Sequence, residues 1–161
     1  MINKYLVEFK WSLIFLLVSL AWMLLEKLVG LHDIHIKHHA TYTNLFGVVA
    51  ITMYVLALLD KRKKDYGGEM TWKQGFMTGL IMSVVIAFFA PLNQVITHYI
   101  ITPDYFVNVR AEAVSTGVMT IDEAVSYFNL KSYMVQSIVG ALLMGVVTSA
   151  VIAFFLKKKS A

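Results

Sequence analysis

Four long apolar stretches recur along this chain, separated by short polar or charged breaks. The first starts at Trp11 and runs WSLIFLLVSLAWMLLEKLVGL to Leu31. At 1.5 Å per residue it is long enough to cross a hydrocarbon core of about 30 Å. Lys4 and Lys10 ahead of it would suit a signal peptide. LAWMLLEK, however, offers no small-x-small cleavage site, so the run reads as a retained first span of about 11–31. The second run, LFGVVAITMYVLALL, is short for a crossing and borrows its first turns from HHATYTN, giving a span of about 41–59. The third covers about 72–101 and the fourth about 133–156. The pattern predicts a single all-α domain over 1–161, a polytopic membrane protein with four transmembrane helices.

The stretch 102–132 between the third and fourth spans carries helix punctuation of its own. Thr102-Pro103-Asp104 reads as an N-cap, a proline at the first helical position and an acid in the first turn. Thr120-Ile121-Asp122-Glu123 reads as a capping box that opens a second short helix through Leu130, after a break at Gly117. Tyr105, Phe106, Val109 and Ala113 share a face in the first piece, as do Ile121, Ala124, Val125 and Phe128 in the second. Two short amphipathic helices are expected, lying on the bundle or in the headgroup layer.

Within the spans, Gly75, Gly79, Ser83 and Ala87 recur every fourth residue in the third. Ala141, Gly145, Ser149 and Ala153 do the same in the fourth. Such stripes let two backbones approach closely where lipid supplies no hydrophobic push between helices. Spans three and four are expected to touch along them, with self-association as the other use of a stripe left free. Pro91 removes a backbone donor inside span three and predicts a kink. Beyond it come Asn93, Gln94, Thr97 and His98; Asn93 lies roughly 30 Å along from Trp72, at the outer interface. Glu26 lies deeper, about 22 Å along from Trp11, and an ionisable group there is a functional candidate. The expected polar cluster is therefore Glu26, Asn93, Gln94 and His98, although Glu26 has a plainer role as partner of Lys27 or of the polar vestibule.

Composition agrees with the pattern: 58% of residues are apolar and 15% charged, against roughly 45–50% and 25% in soluble domains. The mean hydropathy is +0.68. No cysteine is present, which excludes disulfides, thiolate zinc sites, iron–sulfur clusters and thiol catalysis. The net charge of +4 matters less than its distribution. Ten of the fourteen Lys and Arg residues, among them Lys61 to Lys64 and Lys157 to Lys159, flank one side of the bundle. Lys27, Lys37, Arg110 and Lys131 flank the other. By the positive-inside rule both termini are cytoplasmic. Trp11, Trp72 and Tyr66 near one set of ends, and Tyr42, Tyr99, Tyr105 and Tyr133 near the other, suit aromatic belts.

HDIHIKHHA, residues 32–40, concentrates four of the five histidines. If it is helical, His32, His35 and His39 fall on one face at i, i+3 and i+7 and could share a metal such as zinc or copper. Asp33 would lie about 100° away from them. The plainer reading is a solvated loop, since HxxH without an acid and supporting hydrogen bonds matches many loops and no HExxH occurs. No P-loop, dinucleotide fingerprint or GxSxG elbow is present, so no catalytic residue or cofactor is assigned. KRKK at 61–64 reads as a topology anchor and anionic-lipid contact, with no nucleic-acid partner.

With its basic run at Lys61 to Lys64, the GG turn at Gly67 and Gly68, Thr71 beside Trp72, and Gly75 and Gly79, the chain resembles a known family. Pro103 with Asp104 and Phe106, Asp122 with Glu123, and the basic tail Lys157 to Lys159 extend the likeness over nearly the whole length. The resemblance is to the domain of unknown function 4199 family, small bacterial membrane proteins, and it implies the four-span topology without adding chemistry. The histidine run departs from that family pattern. Together these readings predict a non-enzymatic structural, accessory or interaction protein of the bacterial inner membrane. Its partners would be the bilayer and a second copy or another membrane protein. A subunit of an oligomeric small-solute or ion transporter, and an outward-facing metal-binding protein, are the alternatives.

Overall fold

The computed structural model describes residues 2–158, which are helical apart from turns and one isolated bridge; Lys159 of the basic tail lies outside them. Helix α1 covers Leu6–Leu28, the one-turn α2 covers His39–Tyr42, and α3 covers Phe46–Asp65. Then come α4 at Trp72–Ile96, α5 at Tyr105–Ser115, α6 at Ile121–Tyr127 and α7 at Leu130–Leu156. Short 3-10 turns at Ile36–His38 and Thr43–Leu45 flank α2. A wider π turn at Thr97–Ile101 extends α4. Four segments are long and apolar enough to cross a membrane: Leu6–Leu28, Ile36–Asp65, Trp72–Ile101 and Leu130–Leu156. The chain is an all-α protein with the build of a multi-pass membrane protein, its two short helices α5 and α6 joining the third and fourth crossings.

The boundaries differ from the hydropathy runs for local reasons. The first crossing begins at Leu6 rather than Trp11, because Glu8, a charge that reads as non-membrane, is buried and paired with Lys61 at 2.9 Å. It ends at Leu28 rather than Leu31, because Gly30 takes φ +79° and closes the helix. The second crossing carries helical turns from Ile36, ahead of its apolar run. Helix α5 starts at Tyr105 with Asp104 in the cap position, two residues later than the Thr102 cap read from sequence, and Thr102 is buried instead. Thr120 does open α6 through a reciprocal capping box with Glu123. That helix stops at Tyr127, however, and Leu130 already belongs to α7, capped by the Asn129 side chain accepting from the Ser132 N–H at 2.9 Å. Pro91 sits within continuous α4, and the departure from α-helical hydrogen bonding comes later, at the π turn.

The centre of the bundle is the seam between α4 and α7. Gly79 faces Ser149 and Gly145 faces Ser83, so closely that a Cβ on either glycine would fall within 2.6 Å of the facing serine's Cβ. Gly75 lies against Ala153, Ala87 is buried, and Ala141 packs on the same core. Both small-residue stripes are thus used inside one chain. Tyr54 of α3 adds a hydrogen bond to the Ser83 hydroxyl at 2.8 Å. Helix α1 is tied to α4 by the Asn93 amide, which donates to Leu16 O at 3.0 Å and to the Ser19 hydroxyl at 2.7 Å.

The basic end is closed by polar ties. Lys61 is 2% exposed and donates to Glu8, to Asp65 and to the Lys4 carbonyl. Asp60 accepts from Lys10 and from the Trp11 indole, both at 2.9 Å. Met70 and Lys158 exchange two backbone hydrogen bonds of 2.8 Å, clasping the tail to the turn before α4. These contacts fix the bundle and leave the opposite, histidine-bearing end for chemistry.

Candidate metal centre

The site begins with how α1 stops. Gly30 N–H donates to Lys27 O at 2.9 Å and Leu31 N–H to Glu26 O at 2.9 Å, the paired 6→1 and 5→2 bonds of a Schellman motif with glycine in the left-handed position. This stop reverses the chain, so His32 folds back over the last turn of α1 and meets Glu26. Asn108 of α5 holds the turn from the other side, donating to His32 O at 2.9 Å. The 3-10 turn that follows delivers His39 at the start of α2 to the same place.

Glu26 is 1% exposed. Its Oε1 accepts from the Trp22 indole at 2.5 Å, while Oε2 lies 3.1 Å from His32 Nε2 and 3.5 Å from His39 Nδ1. One donor atom from each of the three residues lies within 4.8 Å of the others. Two ligands each about 2.0–2.2 Å from a zinc-like ion stand roughly 3.0–3.5 Å apart; both carboxylate–imidazole distances fall in that range, and the two imidazole donors lie within 4.8 Å of each other. The Trp22 bond to the second carboxylate oxygen is the kind of outer support that orients a ligating carboxylate.

The Nδ1 atoms of His32, His39 and His98 are buried without a hydrogen-bond partner among the described residues, and of the three only His39 Nδ1 faces Glu26, His32 meeting it through Nε2. Buried and unpaired polar atoms cost stability unless something else engages them. The rings of His32, His39 and Tyr105 pack in a triangle, with centroids 5.1 to 5.2 Å apart. Burial pushes the Tyr105 phenol well above its usual range, so it stays a neutral hydroxyl, 3.2 Å from the Tyr133 hydroxyl. Beside this triangle opens a cavity of about 310 Å³, whose polar lining includes Thr43, Gln94, Thr97, His98 and Gln136.

The structure sorts the residues singled out by sequence differently from the helical reading. His32 and His39 are interior and not loop residues in water, whereas His35, His38 and Asp33 are exposed. His35 faces a separate shallow groove with His38 and Tyr42. Residues 32–39 do not form one helix, so the i, i+3, i+7 face does not exist, and Glu26 stands where His35 was expected. The expected polar cluster splits likewise. Asn93 is spent on α1, Gln94 and His98 line the cavity, and Glu26 joins the histidines; Lys27 is exposed and makes no pair with it among the described residues. Tyr105, Trp22 and Asn108 were missed as parts of the site. A signal for the reversal was present: a glycine directly after a long apolar helix is the usual residue at a helix stop.

A family model described as Protein of unknown function (DUF4199) matches residues 10–158. The chain belongs to that family. The match runs from α1 through the clasped tail, so in this DUF4199 member Glu26, His32 and His39 all fall within the shared region. No curated protein and no solved structure matches the chain.

Proposed function

We propose that this DUF4199 protein is an integral membrane protein that binds a divalent transition metal at its histidine-bearing end, through Glu26, His32 and His39. The observation that carries the reading is the convergence of the three donor atoms, all within 4.8 Å, beside a partly polar cavity that leaves coordination positions accessible. Nitrogen and carboxylate donors without sulfur suit zinc and its first-row neighbours. The role proposed is binding of the ion. The excess of Lys and Arg at the opposite end supports a bacterial cytoplasmic membrane with both termini inside, which puts the centre on the outer face.

The test is isothermal titration of zinc into the detergent-solubilised full chain. One equivalent is expected to bind, with affinity reduced at least tenfold by Glu26→Gln or His39→Ala and unchanged by His35→Ala. Equal heats from wild type and Glu26→Gln would end the proposal. A second reading, an accessory protein that binds a membrane partner, is favoured by Val107, Val118 and Ile121, which are 64%, 71% and 69% exposed on the α5–α6 segment outside the crossings. In-membrane cross-linking from position 118 that captures no protein would remove it.

A further inference from the structure

The cavity beside the histidines shares a wall with another space. A second, mostly apolar groove of about 430 Å³ lies between α3 and α7, floored by α1 and α4, and Gln94 lines both spaces. The linings advance one helical turn on each wall. Thr43 in the cavity is followed by Gly47 in the groove, and Gln136 by Gly140. A Cβ built on Gly47 or Gly140 meets nothing within 4 Å, so the absence of side chains there keeps the passage wide. The groove lies along the apolar part of two crossing segments, where the surrounding solvent is acyl chain.

From this adjacency we infer that the ligand of the centre is a membrane lipid with an anionic headgroup, the headgroup at the metal and an acyl chain in the groove. The inference rests on the metal reading above and names the ligand class of that same site. Charge favours an anion. A divalent ion held by one carboxylate and two neutral imidazoles keeps a net charge of +1, and among the described residues no lysine or arginine lines the cavity to serve a headgroup instead. Gln94 and Gln136 supply amide donors beside it, and the Thr43 and Thr97 hydroxyls add to them. A wholly water-soluble anion would have no use for the apolar extension, whereas a lipid would fill both spaces by lateral entry between α3 and α7.

The experiment uses native mass spectrometry of the zinc-loaded full chain in detergent, with dioleoyl phosphatidic acid, dioleoyl phosphatidylcholine and inorganic phosphate as probes. One phosphatidic acid per chain is expected, retained at least tenfold better than phosphatidylcholine. Gly47→Leu and Gly140→Trp, which enter open space, should cut that retention at least tenfold while leaving the zinc titration unchanged. Glu26→Gln should lose both. Lipid retention that survives the two groove variants, as it would if the basic end held the lipid, overturns the inference. So does inorganic phosphate that displaces phosphatidic acid at equal concentration, which would mean an aqueous anion. Failure of zinc to bind wild type would overturn the metal reading and this one with it, whereas normal zinc binding with unselective lipid retention would sink this one alone.

Discussion

Substituting Gly145 by alanine should damage the bundle far more than the size of a methyl group suggests. A Cβ at this position would stand 2.0 Å from Ser83 Oγ, 2.5 Å from Ser83 Cβ and 3.0 Å from the Tyr54 hydroxyl. Carbon contacts are comfortable at about 3.5–4.0 Å, so the shortfall against Ser83 Cβ is roughly 1 Å and cannot be relieved by rotating the hydroxyl alone. Either α4 and α7 separate, which also loosens the matching contact of Ser149 on Gly79, or Ser83 moves and its 2.8 Å bond to Tyr54 is lost. Overpacking of this kind costs about 1–3 kcal/mol, and the fully buried position of Ser83 puts the expected value near 3 kcal/mol. Gly140→Ala is the control: its Cβ meets nothing, so the change should be neutral or stabilise by up to about 1 kcal/mol through helix propensity. Unfolding by SDS titration in mixed micelles reads both variants. Adding Ser83→Gly to Gly145→Ala should recover much of the loss, since it removes the atoms that clash. Gly145→Ala within 0.5 kcal/mol of wild type, or Gly140→Ala equally destabilised, would refute the packing argument; these thresholds reflect the usual scatter of about ±0.5 kcal/mol for neutral changes.

Other sites give shorter tests. Gly30→Ala forces a side chain into φ +79° with its Cβ 2.6 Å from Ile34 Cγ1, so the turn should shift His32 and weaken zinc binding at least tenfold by titration; unchanged affinity would mean the reversal does not set the site. Lys61→Met leaves Glu8 buried without its cation and should cost about 3 kcal/mol in the same micelle assay, while Lys61→Met with Glu8→Gln should recover most of it. The Thr120 backbone N–H, and then its hydroxyl, hold the Glu123 carboxyl below its ordinary pKa. A group depressed in the folded state contributes stability that is present above its unfolded pKa and is lost as pH falls through the lower folded value. Start-of-helix order in α6 should therefore melt only on acidification through that interval. Thr120→Ala keeps the backbone N–H and removes only the hydroxyl, so it should move the Glu123 midpoint part of the way upward by NMR titration, and no movement would remove the hydroxyl as a cause.

The crossings were legible because hydropathy over twenty or so residues outweighs any local detail, and the capping box at Thr120 because its two partners are three residues apart. The α4–α7 seam was legible for a similar reason: a four-residue rhythm of small residues on each helix is a property of the strand of sequence itself. What pairs across the chain was not. The start of α1 at Leu6 depends on Glu8 meeting Lys61, more than fifty residues on, a contact no window can register. The site was hidden by the assumption that 32–39 keep helical periodicity. Once Gly30 reverses the chain, His32 belongs with Glu26 behind it and not with His35 ahead of it, and α5 closes over the pair through Tyr105 and Asn108.

The position of Glu26 carries its own argument about what the centre needs. It lies in the last turn of α1, where the aligned peptide dipoles give the helix end a partial negative charge, and a carboxylate there is disfavoured by about 0.3–1 kcal/mol. Lys27, the nearest fixed cation in sequence, is exposed and unpaired with it among the described residues. A carboxylate kept at the wrong end of a helix and buried to 1% gains most from a cation placed at Oε2, between the two imidazoles. Glu26→Gln should therefore leave the metal-free protein within about 1 kcal/mol of wild type, the amide still meeting Trp22 and His32 while the unfavourable charge is gone. Its response to zinc should disappear. Wild type at a hundredfold excess of zinc over Kd gains about 2.7 kcal/mol and the variant should gain none. A metal-free Glu26→Gln protein that is several kcal/mol less stable, with zinc making no difference to wild type, would show that the carboxylate works only as the histidines' structural partner.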